Sequence, residues 1–289
     1  MQRYKCLNCR SQFQSSRRDT GVGAELWKEY IEEKQTLKQL SKRHGRSHIW
    51  VRKQLDTVSV PKQEINPHST VIIADTTFWG RHYGVCVFRA WPLAENIWWH
   101  EVASELMTHY RYARAILEEC GWILKAAVVD GRRGFLKVFE GMPVQICQFH
   151  QIKIVGRYLT SRPKTEAGKE LLALVLTLTK TDEATFSTAL IAWHESWKDF
   201  ISQKTVSTFE NGKTKWHYTH KNVRSAYRSL ATNLSGLFTY QKYPELNIPN
   251  TTNSLDGSFS ALKKKLGVHH GLRCDRRYKV VSKLLRDGA

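Results

Sequence analysis

Three acids stand out by where they fall in the chain. Asp75 follows the apolar run Val71-Ile72-Ile73-Ala74, and Asp130 follows the run from Leu124 to Val129, with Gly131 next. Each reads as the last residue of a buried strand. The carboxyl edge of a sheet is where α/β proteins place ligand and metal groups. Two neighbouring strands ending this way bring two carboxylates together, which is costly unless a cation sits between them. Mg²⁺ (or Mn²⁺) suits such a pair, since it takes a few carboxylates and completes its shell with water and phosphate oxygens. A third acid is then expected from elsewhere. Asp256 qualifies, in the first turn of a helix starting near Asn253, with Glu245 in the loop Tyr243-Pro244-Glu245 as its rival. Each acid also has a plainer reading. An Asp at a strand end is often a turn residue, and a carboxylate in a first helical turn stabilises the helix dipole by about 0.3–1 kcal/mol without any metal.

The elements that must position these acids form an α/β set. After the Asp75 strand, Tyr83 to Phe88 and Asn96 to His100 read as two more strands, and a helix runs from about Ala103 to Cys120. The Asp130 strand, a short helix around Phe135 to Phe139 and the run Val144 to Cys147 follow. This order predicts a mixed sheet with helices. Residues from about 151 to 245 read as mostly helical. Within them Trp193 and Trp197, four apart, belong to a core face. Asn211-Gly212, flanked by Phe209 and Trp216, signals a hairpin. The helix from Asn253 carries Leu255, Phe259, Leu262 and Leu266 on one stripe.

Charge bounds the partner. The 289 residues hold 45 Lys plus Arg against 26 Asp plus Glu, a net +19, with 41% hydrophobic residues. That is too apolar for a disordered polycation. The longest apolar stretch, roughly Leu171 to Leu178, falls well short of the ~20 residues of a membrane span. The start has no apolar signal-peptide core, and scattered cysteines argue for reduced thiols. The expectation is a soluble, cytoplasmic protein. Residues 1–66 carry 14 basic and 7 acidic residues, and residues 263–286 carry nine basic residues against Asp275. Such charge favours nucleic acid. A membrane surface would want a broad amphipathic helix, whereas Gly267 and Gly271 interrupt the basic C-terminal segment.

Residues 25–56 read as helical. A short helix from Thr36 to His44, a turn at Gly45 and a second helix capped by Ser47 have the layout of a helix-turn-helix. Ile49, Val51 and Leu55 are its apolar residues. Arg46, His48, Trp50, Arg52 and Lys53 would face a major groove. A plain helical hairpin is the alternative. In front lie Cys6 and Cys9, a CxxC with no second CxxC anywhere in the chain. Tetrahedral Zn²⁺ takes four ligands, so this pair alone does not close a zinc site. It resembles the second half of a zinc ribbon. A truncated ribbon is favoured over completion by a second chain or an inert remnant. The expected organisation is a ribbon remnant at 1–20, a helix-turn-helix domain at 21–60, a linker at 61–69 and an α/β core at 70–289.

Four segments taken in order resemble a known family. They are Asp75-Thr76-Thr77 after a strand, Val128-Val129-Asp130-Gly131, Cys147-Gln148-Phe149-His150, and Asn250-Thr251-Thr252-Asn253-Ser254-Leu255-Asp256 followed by basic residues. This set is similar to Mutator-type bacterial insertion-sequence transposases of the retroviral-integrase-like superfamily. The resemblance implies an RNase H-like core with a helical insertion in the interval of 126 positions from Asp130 to Asp256 (256 − 130). It implies that Asp75, Asp130 and Asp256 are a catalytic triad holding two Mg²⁺ or Mn²⁺ ions. It implies double-stranded DNA as substrate, both terminal inverted repeats and target, a homodimer or larger assembly, and a bacterial or archaeal nucleoid setting. Lys263, Lys264, Lys265, His269, His270 and Arg273 would clamp phosphates. Cys147 and His150 match the family's CxxH, for which a local structural role is favoured over half a zinc site. Asn253 is a motif position without an assigned role. The chain departs from the family in its half ribbon and in its third acid, usually Glu. Asp256 would reach roughly 1.5 Å less far, and misplacement on that scale can cost ~10²-fold in rate. A transposase-derived DNA-binding protein and an RNase H-like nuclease without strand joining are the alternatives.

Overall fold

The computed structural model describes residues 4–13, 21–59, 66–132, 134–208, 213–269 and 271–288. They fall into two compact units, one built from residues 1–63 and 261–287 and the other from 64–260 with the last two residues.

The first unit opens with a small hairpin, β1 (Tyr4–Lys5) and β2 (Gln12–Phe13), followed by α1 (Val22–Ile31), α2 (Leu37–Arg43) and α3 (His48–Thr57). A capping box starts α2: Gln39 N–H donates to Thr36 Oγ1 at 3.3 Å while Gln39 Oε1 accepts from Thr36 N–H at 2.8 Å. Gly45 takes a left-handed φ of +59°, and Ser47 Oγ accepts from Trp50 N–H at 3.2 Å to begin α3. Leu26, Tyr30, Leu40, Val51 and Leu55 form the core. Ile49, read from sequence as part of the apolar set, is 64% exposed. Val51 and Leu55 are four apart and share a face. Ile49 lies two residues from Val51, about 200° away around the helix.

The second unit is built on β3 (Ser69–Phe78), β4 (Gly84–Trp91), β5 (Glu95–Val102), α4 (Met107–Glu119), β6 (Ile123–Val129), α5 (Phe135–Val138) and β7 (Val144–Ile146). The sheet order is β5-β4-β3-β6-β7. The first three strands are antiparallel neighbours, and β6 and β7 run parallel to β3. This is the mixed α/β sheet the sequence predicts, with a generically RNase H-like topology. On one face Ile72, Ala74, Phe88 and Val129 pack with Tyr110, Ala113 and Leu117 of α4. Beyond β7 come α6 (Gln148–Leu159), α7 (Glu166–Leu176), α8 (Glu183–Ser202), the hairpin β8 (Lys204–Thr208) and β9 (Thr214–Tyr218), α9 (Lys221–Leu237), α10 (Thr239–Lys242) and α11 (Asn253–Leu266). Asn211-Gly212 lies outside the described residues, but the strands on either side pair antiparallel from Lys204↔Tyr218 to Thr208↔Thr214. Leu171, Phe186, Trp193, Leu230 and Phe238 make a second core, in which Trp193 stacks on Tyr227 with ring centroids 5.4 Å apart.

By contact, α11 belongs to the second unit up to Ser260 and to the first from Ala261 onward. The chain then ends in α12 (Cys274–Arg286), packed within the first unit. Buried Arg276 forms a two-pronged ion pair with Asp56 at 2.6–2.9 Å, and Lys279 Nζ donates to the carbonyls of Asp56 and Val58 at 2.8 and 3.0 Å. The basic C-terminal segment, read from sequence as part of the core, is thus tied to the end of α3. Removing Asp56 would leave the buried Arg276 charge without its partner, whereas the Asp56 carboxylate is partly open to solvent. Among the described residues no helix is long and apolar enough to cross a membrane.

Candidate metal centre

The sequence ends a strand at Asp75, but β3 continues three residues to Phe78, because Asp75 to Phe78 keep pairing with β4. On the other side of β3 the ladder with β6 stops at Ile73↔Val128. Asp75 and Asp130 each lie two residues past that pair, so they stand level just beyond the point where the parallel pairing of β3 and β6 ends. Cys147 follows β7 at the same level, since β6 and β7 last pair at Val129↔Ile146. Side chains alternate across a strand. Thr76 faces α4, its Oγ1 2.8 Å from Tyr110 Oη, and Asp75 therefore points to the opposite face.

That face carries Arg89, which is 3% exposed. Its Nη1 donates to Ser254 O and its Nη2 to Ser258 Oγ, both at 2.6 Å, while Nε donates to Asn96 Oδ1 at 2.8 Å. The guanidinium clamps the first turns of α11 to the sheet, and Asp256 sits in those turns. A second tie comes from the β7–α6 elbow. Gln148 N–H donates to Asn250 O, and Gln148 Oε1 accepts from Asn250 Nδ2, both at 3.0 Å. Thr252, fully buried, is the hub. Its N–H donates to Cys147 Sγ at 3.3 Å, and its Oγ1 lies 3.4 Å from that sulfur, 3.3 Å from His150 Nδ1 and 3.2 Å from Asp256 Oδ2. One hydroxyl hydrogen can serve only one of these at a time.

The outcome is a cluster of Asp75, His150 and Asp256, whose ligand atoms all lie within 4.8 Å of one another. Ligands on opposite sides of an ion bound at 2.0–2.1 Å stand about 4.2 Å apart, so this spacing fits one divalent cation after a slight contraction. The shorter third acid therefore already reaches the cluster. Burial pushes Asp75 up to about 7; His150 opposes that rise, whereas Asp256 and Asp130 add to it. The hydrogen bond to Cys147 carries His150 up to about 9 against the effect of burial, with Asp75 and Asp256 contributing. Burial acts to raise the Cys147 thiol, but bonds from His150 and Thr252 outweigh it and leave the thiol below its usual value. Without a cation the cluster holds its own protons.

Asp130 is engaged differently. Its Oδ1 accepts from Arg132 N–H at 3.1 Å, and Arg132 Nε lies 3.2 Å from its Oδ2. The same guanidinium reaches buried Glu105 at 2.8 Å, and Glu105 also accepts from Tyr110 Oη at 2.7 Å. Burial raises both acids, and Arg132 works against the rise. So the third ligand atom beside Asp75 and Asp256 comes from His150, while Asp130 stands next to them in an ion pair. Sequence reasoning noticed His150 only as part of CxxH and missed Arg89, Glu105 and Arg132. Glu245 is exposed and outside the cluster.

Most of the remaining candidates belong to the first unit. Arg46, His48, Arg52 and Lys53 are exposed, with the Arg46 guanidinium 5.4 Å above the Trp50 ring. Lys263, Lys264 and Arg273 are exposed and Lys265 is half-buried; Arg273 pairs with Asp275 at 3.2 Å. His269, expected to touch DNA, is buried with its ring 4.0 Å from that of Tyr30, because α1 offers an aromatic face there. His270 lies outside the described residues, and Asn253 is the exposed first residue of α11. Cys6 and Cys9 sit on the β1–β2 turn, closed by Cys6 N–H to Ser11 O and Arg10 N–H to Cys6 O, both 2.9 Å. A hydrogen bond with Ser11 lowers the exposed Cys9 thiol to about 7. No third ligand joins the pair among the described residues.

Compared with known families and with curated proteins, the chain matches no family model and no curated sequence.

Proposed function

We propose that this chain is a metal-dependent phosphodiester transferase acting on double-stranded DNA, of the insertion-sequence transposase kind, cutting at terminal inverted repeats and joining the ends to target DNA. The observation that carries the reading is the convergence of Asp75 and Asp256 within 4.8 Å of each other, 181 residues apart in sequence (256 − 75), with Asp130 level with Asp75 on the next strand. When bound, Mg²⁺ or Mn²⁺ in such a site activates water or a DNA 3′-hydroxyl and stabilises the leaving oxygen. Asp75 and Asp256 would hold one ion. His150, in its neutral form, would be a third ligand, and a nitrogen donor shifts the site toward Mn²⁺ over Mg²⁺. Asp130 would serve a second ion once Arg132 exchanges its carboxylate for a phosphate oxygen, the geometry guanidinium favours. The exposed cations of α3 would contact DNA grooves and backbone. Holding two DNA ends together would require at least two copies of the chain.

One observation favours a second reading, a transposase-derived DNA-binding protein without metal chemistry. Arg132 and protonated His150 already give each acidic group a positive partner. The test is nicking and strand transfer on DNA bearing the element's ends, with Mg²⁺ or Mn²⁺. Full activity in Asp75→Asn would sink the metal-centre reading. Cutting without joining would mark a nuclease. Sequence-specific DNA binding with no Mn²⁺ uptake would favour the binding protein.

A further inference from the structure

Next to Asp130 the second unit has a polar cleft of about 320 Å³ between α6 and α9. Gly131, Tyr158, Ser225, Arg228, Ser229 and Thr232 line it. The lining is rich in donors, and none of the described residues on it is acidic. Gln151, fully buried, donates to Ser229 Oγ at 3.1 Å, so Ser229 keeps its own hydroxyl hydrogen for the cleft. Asn233 Nδ2 donates to the same glutamine at 2.8 Å. A Cβ at Gly131 would lie 2.6 Å from Asn233 Nδ2, which shows how closely the loop after Asp130 is pressed against α9. The cleft therefore begins one residue from the acid. The Arg228 guanidinium is a donor only and repels a cation, so it favours an acceptor such as a phosphodiester oxygen, to which the surrounding hydroxyls can donate as well.

The same helix continues toward an aromatic platform. Arg224, one turn before Arg228, lies 3.9 Å from the ring centroid of Tyr218 on β9. Lys204, Val206, Trp216 and Tyr218 occupy one face of the β8–β9 hairpin, by the pairs Val206↔Trp216 and Lys204↔Tyr218. Trp216 is 54% exposed and Val206 64%, with Lys204 Nζ 4.4 Å from the indole centroid. Residues 204–228 hold six Lys or Arg against one acid. From Arg224 to Asn233 the helix rises about 13.5 Å, a distance of a few nucleotides.

We infer that α9 and the β8–β9 hairpin form a track for one strand of nucleic acid leaving the metal centre, with its phosphates in the cleft at Arg228 and a base stacked on Trp216. This rests on reading the substrate as DNA and assigns the part of the protein that holds the strand beside the cut. Stacked aromatics interleaved with cations are the means by which single strands are held without sequence readout.

The test uses the full chain without divalent metal. Binding of a fluorescent single-stranded oligonucleotide of about 20 nucleotides, carrying 5-iododeoxyuridine for photocrosslinking, is compared with binding of its duplex. Trp216→Ala and Arg228→Glu should each weaken single-strand binding about tenfold or more. Arg228→Lys should recover most of that loss, melting temperatures should stay unchanged, and crosslinks should map to the Trp216–Tyr218 peptide. Wild-type affinity in both variants, or crosslinks confined to other segments, would overturn the track. If Mn²⁺-dependent cleavage persists with unchanged KM in those variants, the track falls and the metal centre stands. If the protein binds no nucleic acid and cleaves none, both fall.

Discussion

Two acidic groups lie side by side at one edge of the sheet, and they balance their charge in opposite ways. Asp130 and Glu105 share the guanidinium of Arg132, at 3.2 and 2.8 Å. Asp75 and Asp256 have no Lys or Arg among their described ion pairs, and His150 can offset them only by holding a proton. The distinction is chemical. Arginine stays charged at any accessible pH, so the first group keeps its positive partner whatever the pH. The buried Asp75 carboxyl exchanges its proton near 7 and His150 near 9, so the second can trade protons for a divalent ion as pH rises. The protein's backbone topology sets the two groups level, and the kind of cation supplied decides which one is ready for a metal.

The largest expected effect breaks this contrast directly. Asp75→Asn should lower Mn²⁺-dependent cleavage by at least about 100-fold, since even indirect partners of a metal ligand cost 10–100-fold. Glu105→Gln should change it by less than about tenfold, because Glu105 is held by Arg132 and Tyr110. Steady-state rates of both variants, with melting curves to confirm folding, check the pair. Equal losses would erase the distinction between the groups. Next in size is Asp256→Glu. The family resemblance suggests that Glu would restore a longer reach, but the Asp256 carboxylate already lies within 4.8 Å of its partners, with Oδ2 3.2 Å from Thr252 Oγ1. A longer side chain must displace that contact, and about 10- to 100-fold slower cleavage is expected. A rate above wild type would show that Asp256 falls short.

These variants also mark where the sequence was legible. Asp75 and Asp256, two members of the cluster, were readable because a polar residue after a buried apolar run, or in the first turn of an amphipathic helix, is a local signal; Asp130 carries the same signal but stands outside the cluster in an ion pair. The mixed sheet was readable for the same reason. The end of β3 was not, because Thr76 and Thr77 look like a turn in a hydropathy pattern although β-branched residues suit a strand paired on one side. The partners that build the site were invisible for a different reason. Arg89 meets Ser254 and Ser258 across 165 and 169 residues, and Cys147 meets Thr252 across 105. No periodicity links such positions. Arg132 was close enough to Asp130 to be noticed, but nothing in its spacing showed that it would also reach Glu105.

A third test uses pH. The folded-state value of Asp75, about 7, lies above its ordinary 3.8, so the metal-free folded protein binds a proton that the unfolded chain releases. Stability from that proton is lost as pH rises from roughly 4 to 7. His150, raised to about 9, contributes stability that is complete below about 6.5 and disappears as pH rises through 9. Both changes weaken the metal-free protein at high pH, and both free ligands for an ion. Mn²⁺ affinity should therefore rise about 100-fold per pH unit below 7, with two protons released per ion, and about tenfold per unit from 7 up to about 9, with one. The melting-temperature gain on adding Mn²⁺ should be larger at pH 8.5 than at pH 6. Calorimetry in buffers of different ionisation enthalpy counts the protons. A pH-independent affinity would mean that Asp75 and His150 do not hold the ion.

The smallest expected effect tests the compensated group. Arg132→Gln removes the one guanidinium that Asp130 and Glu105 share. Arg132 is half exposed, so solvent already screens part of its effect, and the stability loss should be only about 1 kcal/mol at neutral pH. The informative change is in stoichiometry. With two raised carboxyls left beside each other, the second group acquires the same demand for a cation as the first, and Mn²⁺ titration should gain a second binding event. Adding Mn²⁺ should then recover the lost stability. If the count of bound ions does not change, Asp130 is a structural acid held at the sheet edge by its neighbours, and the centre is a one-ion site of Asp75, His150 and Asp256. If it does change, Arg132 is the group that keeps the second ion out until a phosphate draws the guanidinium away.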